Sequence, residues 1–119
     1  MKIEEGGELP IIRGFQGFSE IFLSYQTLGY TPGGRARINL HIELMDGTVV
    51  YGDPYPNNLT VNCTSIGSGI NVCVNDYWLI TTGPDPFYNK LANVTLTVSD
   101  DTNPSISVTL EQTVFLVEP

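Results

Sequence analysis

The sequence predicts an all-β fold, a two-sheet antiparallel β-sandwich of immunoglobulin-like arrangement, with a jelly roll as the alternative. Three observations carry the prediction. Apolar and polar residues alternate with period two in run after run, the mark of strands with one dry face and one wet face. Clusters of Gly, Pro, Asn and Asp interrupt these runs every 8–12 residues or so, marking about seven to nine strands. No window sustains a helical period. The Cys–Trp–Cys framework of antibody domains is absent, because Trp78 follows both Cys63 and Cys73.

Residues 1–17 read as an extended arm, and residues 18–119 as a single domain. The arm carries Gly6, Gly7, Pro10, Gly14 and Gly17, too much turn chemistry for a long strand. Its Leu9, Ile11, Ile12 and Phe15 are apolar enough to close a sheet edge or to reach a neighbouring subunit. The first clear strand is Phe18 to Leu28, with Ile21, Leu23 and Tyr25 on one face.

Residues 35–51 give the strongest local signal. Ala36, Ile38, Leu40, Ile42 and Leu44 alternate with Arg37, Asn39, His41 and Glu43, and Asp46-Gly47 then predicts a type I′ hairpin turn. That turn sets Met45 against Thr48, Leu44 against Val49 and Ile42 against Tyr51. A second hairpin is expected from Leu59–Cys63 and Ile70–Val74. A two-residue turn at Gly67-Ser68 would oppose Cys63 to Val72 and place Cys73 on the other face, so no disulfide within the chain is expected. A separate strand is expected at Tyr77–Thr82, and another at Leu91–Ser99. A last strand should turn Ile106, Val108 and Leu110 inward, with a bulge near Gln112.

At 119 residues, the chain suffices for one domain with its own core. Its formal net charge of −8 disfavours nucleic acid, whose phosphates need a basic face, and an anionic membrane surface, which repels it. Charged residues are only 15%, which disfavours a disordered acidic tail. Residues 1–8 contain no apolar signal region, and no apolar run approaches the roughly 18 residues of a membrane span. Three Asn-X-Thr triplets, at Asn58, Asn62 and Asn93, read as Thr-rich strand ends rather than glycosylation sites.

Catalytic signals are weak. His41 is the only histidine, with no nucleophile motif beside it, and Cys63 and Cys73 have no histidine partner by sequence. Asp100, Asp101, Thr102 and Asn103 offer oxygens for calcium but read better as an ordinary tight turn. The expectation is a protein without enzymatic activity or cofactor. The candidate partner-binding residues are Leu9, Ile11, Ile12 and Phe15, the basic pair Arg35 and Arg37, and the loop aromatics Tyr55, Phe87 and Tyr88. Their expected partner is a protein lattice, a capsid or tail, or another copy of the chain. The expected role is an accessory protein of a virus particle, such as a bacteriophage head decoration (cement) protein, made in the host cytoplasm and carried in the virion. The alternative is a carbohydrate-binding or adhesive module that uses the aromatic loops on a glycan.

Overall fold

Strand β4 (Arg35–Leu44) is the axis of the fold. Its odd-numbered residues face outward and its even-numbered apolar residues are buried, as a period of two demands. A computed structural model describes residues 8–10, 12, 13, 19–52, 58–78 and 87–118; for 8, 9, 12, 13, 19, 20, 22, 58 and 75–78 only the backbone is described. Among these residues nine strands form: β1 (Glu8–Pro10), β2 (Ile12–Arg13), β3 (Ser19–Leu28), β4, β5 (Val49–Tyr51), β6 (Asn58–Gly67), β7 (Ile70–Trp78), β8 (Lys90–Asp100) and β9 (Ser107–Val117). They hydrogen-bond in the order β1-β9-β8-β4-β6-β7-β3-β2, with β5 beside β4. The sheet, antiparallel except where β1 joins β9, curls into a half-barrel.

The curl turns on β6. Its first half, Asn58 to Asn62, pairs with β4, and from Cys63 onward it pairs with β7 instead. A strand that changes partner makes a corner in a sheet. Side chains from both halves then meet in one core: Ile21, Leu23 and Cys73 on one side, and Ile38, Leu40, Leu96 and Val114 on the other. Burying each such Leu, Ile or Val fully contributes roughly 1.5–3 kcal/mol.

The two edges of the curl are tied near one end by the arm. β1 runs parallel to β9 beside Phe115–Val117, and β2 pairs with β3 at Ser19 and Glu20. A single residue separates Pro10 from Ile12, so the Cα atoms of these two residues lie within about 7.6 Å, twice the Cα–Cα step.

At the other end the loop Gly29–Gly34 joins the halves. Asp100 Oδ2 accepts hydrogen bonds from Thr31 N–H (2.8 Å) and from the Thr31 hydroxyl (2.7 Å). Its Oδ1 accepts from Thr102 N–H at 3.1 Å. Asn71, from β7, donates to the Thr31 carbonyl at 2.9 Å and accepts from Gly33 N–H at 3.2 Å. Tyr30 donates its hydroxyl proton to the Val98 carbonyl. Burial first, and the Asp100 charge second, push the Tyr30 phenol above its ordinary range, which keeps it a donor.

Several expectations are corrected. At Asp46-Gly47 only Gly47 has positive φ, so the turn is not type I′. Gly47 N–H bonds to the Leu44 carbonyl and Leu44 N–H to the Thr48 carbonyl, the three-residue hairpin that ends in a left-handed glycine. The Asp46 carboxylate accepts from Thr48 N–H at 2.9 Å, which stabilises this turn locally. Ile42 does face Tyr51, but Glu43 rather than Leu44 faces Val49, with the register shift between Ile42 and Glu43.

In the second hairpin Gly67 pairs with Ile70, so the turn residues are Ser68-Gly69 rather than Gly67-Ser68, and Gly67, Ser68 and Gly69 all have positive φ. With a register shift between Ser65 and Gly67, Cys63 then stands opposite Cys73, and the two form a disulfide. Their Cα–Cα separation of 4.5 Å is that of a non-hydrogen-bonded antiparallel pair. Tyr77 and Trp78 belong to the end of β7 rather than to a new strand, because Asn75 and Asp76 pair with Leu23 and Phe22; residues 79–82 lie outside the described ones. The β8–β9 register is unbroken through Gln112, so no bulge interrupts the pairing there. Val108 and Leu110 lie on the inner face by parity yet are 52% and 53% exposed, because β9 outruns what covers the core.

Candidate functional site

The outer face of β4, β8 and β9 gathers most of the exposed functional chemistry. Arg35 and Arg37 project from it, and Asp101 binds both: Arg35 Nη2 to Oδ2 at 3.2 Å and Arg37 Nε to Oδ1 at 2.6 Å. The register explains the meeting. Ala36 faces Asp100, so the next residue lies beside the two arginines, and Asp101 N–H bonds to the Arg35 carbonyl. Exposed pairs of this kind contribute about 0–1 kcal/mol, so the cluster positions charge more than it stabilises.

Further along this face His41, Glu43, Thr95, Glu111 and Thr113 bound an open cleft of about 420 Å³. His41 Nε2 lies 3.9 Å from Glu43 Oε1. The ring packs against Gly52, where φ is +133° and an added Cβ would stand 2.5 Å from His41 Nδ1. Glycine is required there on both counts. This cleft opens to water. The two cysteines, being joined, supply no thiolate nucleophile. The carboxylates of Asp100 and Asp101 are already engaged, by Thr31 and Thr102 and by the arginines respectively.

Beyond the cleft the face turns apolar. Met45, Leu91 and Phe115 are 54%, 37% and 43% exposed. Leu91 and Phe115 are direct cross-strand partners, and Asn93, opposite Glu43, touches the Met45 sulfur at 3.7 Å. The turn after β4 and the strands β8 and β9 thus place these three apolar side chains on one face. Sequence reading missed it, although a signal existed: Leu91 and Phe115 occupy the outward phase of their strands, between inward Ala92, Val114 and Leu116. A second apolar group, Leu28, Ile66 and Val74, is exposed around the β6–β7 hairpin.

The expected site residues are not drawn into one place. Leu9 and Ile12 lie in β1 and β2, known by backbone alone, and Ile11, Phe15 and Tyr55 lie outside the described residues. Arg35 and Arg37 are exposed and adjacent, as the alternation requires. Phe87 is corrected: it is buried in the core, and Tyr88 is half-buried against that core. An apolar ring in a Pro-rich loop follows the strongest free-energy gradient, into the core, which removes Phe87 from any aromatic platform.

Comparison with protein-family profiles, with curated proteins and with solved structures finds no match for this chain. No helix among the described residues is long and apolar enough to cross a membrane.

Proposed function

We propose that this chain is a non-catalytic accessory protein of a virus particle: a bacteriophage head decoration (cement) protein, or a minor virion protein bound to a capsid or tail lattice. The observation that carries the proposal is the outer-face cluster of Met45, Leu91 and Phe115, since contiguous exposed apolar surface marks a binding site. Arg35 and Arg37 belong to the same face and would meet an acidic neighbour, held in register by Asp101. Copies bound to a repeating lattice add weak contacts through avidity. The disulfide supports a final location in an oxidising exterior, such as a particle released from its host. The finer fold description, a two-sheet immunoglobulin-like sandwich with the jelly roll as alternative, belongs to this proposal; the partner change in β6 and the Tyr30–Val98 bond between the halves support it.

In a density gradient of lysate from cells producing the particle, the protein should band with the capsid or tail. Phe115→Ser should weaken that association about tenfold or more, the scale of losing one anchoring aromatic, and leave the melting temperature nearly unchanged. Protein confined to the soluble fraction, or a variant that bands like wild type, would count against the reading.

A further inference from the structure

We infer that the free edge of β9 is a homotypic docking strand, which pairs antiparallel with β9 of a second copy about a two-fold axis at Thr109. Strand β9 has β8 along one side over its whole length, but on the other side β1 reaches only Phe115–Val117. From Ser107 to Gln112 this edge faces no strand among the described residues.

The direction of its backbone groups follows from one bond. Asp100 N–H donates to the Ile106 carbonyl while Ser99 stands opposite Ser107, so that pair is a non-hydrogen-bonded one. Short hydroxyl contacts across Ser99–Ser107 and Thr97–Thr109, both 2.9 Å, agree. The N–H and C=O groups of Ser107, Thr109 and Glu111 therefore point away from β8. This edge carries none of the usual guards: Ser107–Gln112 contains no proline, no lysine and no bulge.

Two conditions select both the occupant and the register. The chain is strongly acidic, with a net charge of −8, yet this segment holds a single charge, Glu111. A second copy is thus accepted here with little repulsion. Backbone parity requires odd-numbered residues to face odd-numbered ones, and Ser107–Glu111 pairs in full when its middle residue, Thr109, lies on the axis. Centring on Glu111 would set two carboxylates face to face, whereas centring on Thr109 sets Glu111 opposite Ser107 of the second copy. The same register sets Val108 opposite Leu110 in a close non-hydrogen-bonded pair, on the inner face where both are exposed. Among the described residues strand β3 also has a free side beyond β2, but its inward Ile21 and Leu23 are already covered, so pairing there would gain little apolar burial. A six-residue edge buries less than a standard interface, so the association is weak, with a dissociation constant in the micromolar-to-millimolar range. It does not depend on the particle proposal.

The test is sedimentation velocity of the full chain up to about 1 mM, with amide exchange read by NMR at low and high concentration. The expected result is a reversible dimer, with protection of the Ser107, Thr109 and Glu111 amides rising with concentration. Thr109→Pro removes an outward N–H and spares the β8 ladder, the one strand setting where proline is tolerated; it should raise the dissociation constant at least about tenfold. Leu110→Lys, at a half-exposed site, should do the same, and unchanged far-UV circular dichroism of either variant separates lost pairing from lost folding. A monomer at every concentration overturns the inference, as does a dimer that both variants leave intact or whose protected amides lie elsewhere.

Discussion

Replacing Asp100 with alanine should destabilise the protein by about 3 kcal/mol, the scale of unpairing hydrogen bonds to a buried charged group. Asp100 is almost fully buried, and its carboxylate receives Thr31 N–H, the Thr31 hydroxyl and Thr102 N–H. These bonds join the loop after β3 to the end of β8, and Asn71 extends the tie to β7. Alanine would leave two backbone donors and a hydroxyl without their acceptor. The Thr31 hydroxyl bond, helped by backbone N–H donors and opposed by burial, holds the Asp100 carboxyl below the usual carboxylate range. A folded-state pKa below the unfolded one means that the stabilisation is complete above the ordinary value of about 4 and is lost as pH falls toward the folded value. Chemical denaturation between pH 7 and pH 2 should therefore show wild-type stability falling below about pH 4. Asp100→Asn should start lower at pH 7 and fall less. A variant with wild-type stability and a wild-type acid limb would remove Asp100 from this role.

Cys63→Ala/Cys73→Ala should cost about 3 kcal/mol as well, the usual worth of a disulfide closing a short loop. In a domain of this size that lowers the melting temperature by about 10 °C. The bond closes a sequence separation of 10 residues, and its position adds to its effect. Cys63 is the first residue of β6 paired with β7, after Asn62, the last paired with β4. The covalent link thus sits at the seam between the halves of the curl. Reductant should lower the melting temperature of wild type and leave that of the double variant unmoved. Thiol titration of the denatured, unreduced protein should find no free thiol; two free thiols would show that the pair does not bridge.

The two hairpins show how far local sequence reaches. In β4 the alternation sorted every side chain to its face, because hydropathy and the pleat are properties of adjacent residues. The turn at Asp46-Gly47 was legible in place but not in type, since the Asp46 side chain captured Thr48 N–H and kept Asp46 out of positive φ. At Gly67-Ser68-Gly69 two glycines allow two turns one residue apart. Hydropathy favours the one that sets Cys63 against Val72, but the observed register sets Thr64 against Val72, and that choice decided whether the cysteines meet. Val108 and Leu110 were assigned to the correct face, but alternation reports the face alone. Whether anything covers that face depends on where a neighbouring strand ends.

The candidate site was legible in the same uneven way. Arg35 and Arg37 follow from parity, whereas Asp101 as their shared partner required the β4–β8 register. Met45, Leu91 and Phe115 come from the turn after β4 and from β8 and β9, which only the sheet order makes neighbours. Phe87 shows the reverse error, a loop residue taken for surface that the core had recruited.

By itself, the sequence determined an all-β chain, the strand faces and the places where the chain turns. These depend on sterics and hydropathy over a few residues. The tertiary structure alone decided the disulfide, the change of partner in β6, the bond from Asp100 to Thr31 across 69 residues of chain, and the edge of β9 that no strand covers among the described residues. Each of these is a contact, or the lack of one, between segments far apart in sequence. Their free energies are set by register and coverage, which no short window of residues contains.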